Sequence, residues 1–283
     1  MKLSTKQAAI LLAAVISARA TSFMFSKLCL TTMNTFSLLA LRFSLASVIL
    51  FALFHRRIIH SLSRHNIVSG MVIGTIFFLV LASEHTGLKT TNASAAAFIE
   101  NLAIIIVPFI ECILTKKLPS KKTMTGALLA VAGVGLLTMN GNKIGFTRGE
   151  AFLLCAALFY AIAIIVTSKL SRGGDAFVIG FFQVTTTGVL AWSSTVISGG
   201  FTSPQSPGQY VMIFLLAVVC TSFGFTLQPV AQSHLSAETA GSFCALGPLV
   251  ASVLSCVFLR ESVTLLSFCG AVLILLSLAV ESN

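Results

Sequence analysis

The sequence predicts an all-helical integral membrane protein of ten transmembrane helices, arranged as two inverted five-helix repeats. Three observations lead there. Apolar residues make up 56% of the 283 positions and charged residues only 9%, with a mean hydropathy of +0.99; soluble chains carry about a quarter charged residues. Apolar segments long enough to cross a hydrocarbon core of about 30 Å recur from end to end, separated by short polar turns. Short patterns also repeat at a nearly constant separation. Ser26-Lys27-Leu28 returns as Ser168-Lys169-Leu170, 142 residues later.

The ten segments lie at roughly 6–30, 34–54, 66–86, 92–115, 121–138, 149–170, 175–198, 208–232, 237–259 and 264–281. The first follows Lys2 and Lys6, and its run Ala8–Ile16 before Ala18-Arg19-Ala20 also fits a cleaved leader. The repeat needs this segment as its first helix, so it is expected to remain a span. The second, beginning FSLLALRFSLA at 36, carries Arg42, and the third ends in Glu84-His85. The fourth, NASAAAFIENLAIIIVPFIECILT, holds Glu100 and Asn101 near its middle, Pro108 after them and Glu111 near its far end. A carboxylate at such depth costs a few kcal/mol unless it faces protein, water or a partner charge. This helix therefore reads as one wall of a polar cavity, and Phe98 and the small residues Ala93 to Ala97 belong to the same wall.

The basic turn KKLPSKK at 116–122 precedes the fifth segment, and NGNKIG at 140–145 reads as the linker between halves. The domains are accordingly 1–140 and 141–283. Tyr160 lies in the sixth segment, Gln183 and Trp192 in the seventh. In the eighth, Gln228 and Gln232 sit one turn apart around Pro229. Further matches support the repeat: FSLLALR at 36–42 aligns with FVIGFFQ at 177–183, and Gly126-Ala127 with Gly270-Ala271. An odd number of spans per half turns the second half upside down, and in such folds substrate sites lie near the midplane between the repeats.

Basic residues orient the chain. With the N-terminus inside, the inner face holds Lys2, Lys6, Arg56, Arg57, Arg64, four lysines of 116–122, Lys169 and Arg172; the outer holds only Lys27, Lys89, Lys143, Arg148 and Arg260. Both termini are therefore expected in the cytoplasm, with the protein in the cell membrane. The formal charge of +10 is scattered among these turns, so nucleic acid is not an expected partner. The seven cysteines contain no CxxC pair and read as small apolar residues, not a disulfide or metal framework. No cofactor or metal is expected.

At a rise of 1.5 Å per residue, Arg42 and Glu100 both fall about 12 Å below the outer face, and Arg19 about 16 Å. Two readings follow: a structural ion pair between Arg42 and Glu100, or charges lining a substrate cavity. Two arginines and a glutamate suit a zwitterion. Glu111 shares a helix face with Glu100 but sits close to Lys116 and Lys117, which points to a salt bridge at the inner end. Glu84-His85 is a candidate coupling pair at the outer edge of span three, although terminal polar residues are usually solvated. The candidate substrate-binding set is Glu100, Asn101, Arg19, Arg42, Phe98, Gln183, Gln228, Gln232 and Tyr160.

With these features the chain resembles the drug/metabolite transporter superfamily in its EamA-like ten-helix branch. LGPLVASVLSCVFLRESVTLLSFCGAVLIL at 246–275 carries the Pro, Glu, Gly pattern in Pro248, Glu261 and Gly270, and Arg42 supplies the span-two arginine. Lys117 stands where the family usually has Glu, and Ile104 replaces a usual Pro. The resemblance implies a cavity formed by spans 1–4 and 6–9, with 5 and 10 peripheral, and alternating-access transport of small metabolites. The expected activity is export of amino acids or related amphipathic compounds, by a monomer or a dimer. The alternatives are uptake or exchange of a larger charged metabolite such as a nucleotide derivative and, from another class, an intramembrane enzyme or sensor. No nucleophile–base pair or phosphate-binding loop supports the enzyme.

Overall fold

The computed structural model describes residues 3–91, 96, 99–116, 118, 120–138, 148–247, 249–250 and 265–282. Within them every regular element is helical. The helices are α1 (Thr5–Ala20), α2 (Ser22–Cys29), α3 (Thr35–His60), α4 (Arg64–Thr90), α5 (Ala103–Thr115) and α6 (Lys121–Thr138) in the first half. The second half supplies α7 (Arg148–Leu170), α8 (Ala176–Ile197), α9 (Pro207–Leu215), a π-helical stretch Leu216–Phe225, α10 (Thr226–Gln232), α11 (Ala237–Ser242) and α12 (Leu265–Ser282).

Several helices start where a short polar side chain satisfies free backbone amides. Ser4 and Gln7 form a reciprocal capping box on α1; Asn34 caps α3 at Ser37 and Ser63 caps α4 at Asn66. Asp175 accepts from the amides of Phe177 and Val178 at the start of α8. Among the described residues, six segments are long and apolar enough to cross a membrane: Thr5–Cys29, Thr35–His60, Arg64–Thr90, Arg148–Gly173, Ala176–Ile197 and Pro207–Gln232. Shorter apolar helices include Ala103–Thr115. The ninth expected segment, 237–259, lies largely outside the described residues.

The two halves interleave. First-half helices α3 and α4 pack on α8, α4 also on α7, and α1 on the π-helical stretch and α10, while α6 pairs with α12. Glycines set the close crossings. A Cβ at Gly74 would sit 2.6 Å from the Gln183 carbonyl oxygen, and one at Gly180 would sit 2.4 Å from that of Thr226. Such crossings bring backbones into direct contact, which stabilises helix pairs where lipid offers no hydrophobic drive.

Three sequence expectations change here. The fourth segment is not one uninterrupted helix: Asn101 and Leu102 form a turn and α5 starts at Ala103. The amides of Leu102, Ile104 and Ile105 bond three residues back, as in a 3₁₀ turn, and Pro108 removes a further donor inside α5. Glu84-His85 is not at a solvated helix end, because α4 continues to Thr90 and both residues are buried. Glu111 makes the expected ion pair, but with Lys169 of the other half at 4.0 Å, because α5 packs on α7; Lys117, one of its expected partners, lies outside the described residues.

Candidate functional site

A small cavity of about 40 Å³ lies where α1, α4, α7 and the segment around Glu100 converge. Its polar lining includes Arg19, Ser22, Glu84, Glu100, Asn101 and Tyr160, and its apolar walls include Ile16, Leu81 and Phe225. Pockets for metabolite-sized ligands occupy several hundred Å³. In this conformation there is room for about one or two waters.

Arg19 is the hub. It occupies the last turn of α1, and its Nη1 donates to Gln228 Oε1 at 2.7 Å and to the Tyr160 hydroxyl at 3.1 Å. The guanidinium carbon lies 4.2 Å from the centre of the Phe225 ring, 5.1 Å from Tyr160 and 5.4 Å from Phe77. An aromatic cage of this kind stabilises a cation that water no longer reaches. Glu84 and Glu100 both lie within electrostatic reach of Arg19. The Glu100 oxygen Oε2 has no hydrogen-bond partner.

A local change of helix geometry within Pro207–Gln232 accommodates this. Over Leu216–Phe225 the helix widens to π geometry, and the Thr221 hydroxyl donates to the Leu216 carbonyl five residues back, at 2.9 Å. Such widened turns inside α-helices are frequent at functional sites. The stretch serves both arginines. Gly224 makes room for the Arg19 stem, since a Cβ there would come within 2.8 Å of its Cγ. Thr221 accepts from Arg42 Nε at 2.6 Å. Phe225 lies against both guanidinium groups, 5.7 Å from that of Arg42.

Of the two readings the sequence left open for Arg42 and Glu100, the direct ion pair does not form. Arg42 is fully buried, yet Nη1 and Nη2 have no hydrogen-bond partner, and among the described residues no carboxylate, Glu100 included, lies within 4.0 Å of it. The fourth-span break at Asn101–Leu102 and the packing of α3 on the π-helical stretch direct the two side chains to different neighbours. Glu84 is within electrostatic reach of Arg42, and 3.7 Å separates Glu84 Oε1 from His85 Nδ1.

The structure thus brings Arg19, Glu100, Asn101, Tyr160 and Gln228 into one site and adds Glu84 to it. Arg42 sits behind Phe225. Gln232 is buried one turn beyond Gln228 with its Oε1 unpartnered, and Gln183 is buried in the α4–α8 crossing with neither side-chain atom paired. His85 is fully buried next to Glu84. Phe98 lies outside the described residues. Sequence reasoning missed Thr221, Phe225 and Phe77. Nothing distinguishes these two rings among 23 Phe, and π geometry has no sequence signature comparable to a cap or a proline.

The sequence profile described as "EamA-like transporter family" matches this chain twice, over residues 6–139 and 147–282. Two Archaeoglobus fulgidus proteins, each described as an uncharacterized transporter, are similar to it. One is 29% identical over 215 residues, covering 75% of this chain and 68% of that protein; the other is 22% identical over 272 residues, covering 93% of each. A protein crystal structure with 16% sequence identity superposes with a TM-score of 0.80 over 98% of this chain and 97% of its own, so the fold is shared. With both halves matched, the chain belongs to the EamA-like transporter family.

Proposed function

We propose that the protein is a secondary carrier that exports amino acids or related amphipathic metabolites by alternating access. The observation that carries this reading is the charged cavity itself. Arg19 and Glu84, on helices of membrane-spanning length, meet Glu100 in one cavity, and ionisable groups within membrane-spanning segments mark substrate or ion paths. Arg19 is placed for a carboxylate, and Glu100, with an unpartnered oxygen, for an ammonium group. The caged Arg19 and the break at Asn101 give the site parts that can rearrange as two inverted five-helix repeats rock. Ten spans, cytoplasmic termini and a cell-membrane location complete the proposal, with the monomer as the transporting unit.

Thermal stabilisation of the purified protein by a panel of amino acids, polyamines and nucleotides, followed by flux in proteoliposomes, tests it. An amino acid should stabilise the wild type and lose that effect in Glu100→Gln. The absence of substrate-dependent flux across the panel would defeat the carrier reading. The two unpartnered nitrogens of Arg42 favour a second reading, a larger anionic metabolite. Stabilisation by nucleotides and not by amino acids would select it.

A further inference from the structure

The turn between α3 and α4 combines features that belong at a lipid headgroup layer. Helix α3 starts at Thr35 and leaves helical geometry at Phe54 (φ −126°, ψ 19°) before resuming to His60. At 1.5 Å per residue, about 20 residues cross the hydrocarbon, so the bend falls where α3 leaves it. Beyond the bend, Arg56, Arg57, His60, Arg64 and His65 are all exposed, and Ile59 and Leu62 are exposed beside them, at 56% and 50%. Residues 55–65 contain no acidic residue. Arg57 is engaged by Asp175 through two hydrogen bonds, at 2.9 and 3.1 Å. Arg56 and Arg64 have no carboxylate within ion-pair distance among the described residues.

We propose that residues 55–65 form a binding surface for anionic phospholipid headgroups, with Arg56 and Arg64 as the phosphate-facing charges and Ile59 and Leu62 seated at the acyl boundary. Charge complementarity selects this occupant. Two free guanidinium groups flanked by exposed apolar side chains match a phosphodiester at the edge of a hydrocarbon layer, whereas a soluble anion would leave Ile59 and Leu62 in water. Each arginine near an anionic surface is worth about a fivefold change in affinity, so the pair sets a preference for anionic over zwitterionic lipid of about 25-fold. This surface does not depend on the transported substrate or on which face of the membrane is inside.

The test is thermal stabilisation of the detergent-purified full chain, titrated with dioleoyl-phosphatidylglycerol and separately with dioleoyl-phosphatidylcholine. The wild type should show an apparent affinity for phosphatidylglycerol about 25-fold higher. That preference should shrink to a few-fold in Arg56→Gln/Arg64→Gln and collapse in the wild type at about 0.5 M salt, where the screening length is a few Å. The proposal is overturned if the preference survives the double substitution, if it is insensitive to salt, or if inorganic phosphate at equal concentration stabilises as strongly as the lipid. The salt arm needs no variant, so a folding failure of the double variant would not shelter the idea.

Discussion

Gln228 and Gln232 provide a controlled comparison, because they are the same residue type one turn apart in one helix and are equally buried, each at 1% exposure. Gln228 Oε1 accepts the 2.7 Å bond from Arg19. Gln232 Oε1 accepts none. Replacing Gln228 by Leu removes a charge-assisted bond and leaves Arg19 Nη1 with only the Tyr160 hydroxyl. Hydrogen bonds to charged groups are worth about 1.5–3 kcal/mol. Gln228 Nε2 is itself unpartnered, and losing that buried donor returns part of the cost, so a net loss of about 1–2 kcal/mol is expected. For a chain of this size that is roughly 2–8 °C in midpoint. Gln232→Leu instead removes an unpaired acceptor and should be neutral or slightly stabilising, within about 0.5 kcal/mol. Thermal unfolding of both variants in one detergent is the assay. Equal destabilisation by the two substitutions, or a larger effect at Gln232, would refute the assignment of Arg19 to Gln228.

Other expectations follow from the same geometry. Gly180→Ala places a methyl 2.4 Å from a backbone oxygen of Thr226, whereas Gly224→Ala meets the flexible Arg19 stem at 2.8 Å. The first should lower stability by about 1–3 kcal/mol or prevent folding, while the second should fold and lose flux, as read by fluorescence-detected chromatography and proteoliposome transport. Arg42→Met exchanges a buried guanidinium with two unpartnered nitrogens for an apolar side chain of similar length. Its melting midpoint should stay level or rise while substrate stabilisation falls; a large loss of stability would assign Arg42 a structural role. Partial burial raises the Asp175 carboxyl, but bonding to Arg57 and to the amides of Phe177 and Val178 outweighs this and holds it below its ordinary value of 3.8. Its contribution is therefore present above about pH 4 and lost as pH falls through the lower folded value. The partly exposed pair is worth about 1 kcal/mol or less. Asp175→Asn keeps a capping side chain and should flatten the fall in melting midpoint below about pH 4.

Much of the architecture was readable along the chain because its causes are local. Apolar runs, caps such as Ser4, Asn34 and Ser63, and basic turns act over a few residues. Arg19, Glu100, Asn101, Tyr160 and Gln228 were legible as site candidates for a related reason: a polar group at mid-span is costly in lipid and so announces a function. Glu84-His85 was legible as chemistry but misjudged in depth. Five more residues, Thr86 to Thr90, remain helical after them, and helix ends are poorly marked where Thr and Gly intervene.

Composition and periodicity were sufficient for the all-helical membrane class, because hydrocarbon forces each span to satisfy its own backbone. Partner choice was not contained there. Whether Arg42 meets Glu100 or Thr221, and whether Glu111 meets Lys116 or Lys169, depends on helix rotation and on breaks such as the Asn101 turn and the π-helical stretch. Those arise from close packing between halves separated by more than a hundred residues, at crossings such as Gly180 on Thr226 and Gly74 on Gln183. A side chain reaches only a few Å, so a rotation of one helix by a fraction of a turn reassigns its partner while leaving every periodicity in the chain unchanged.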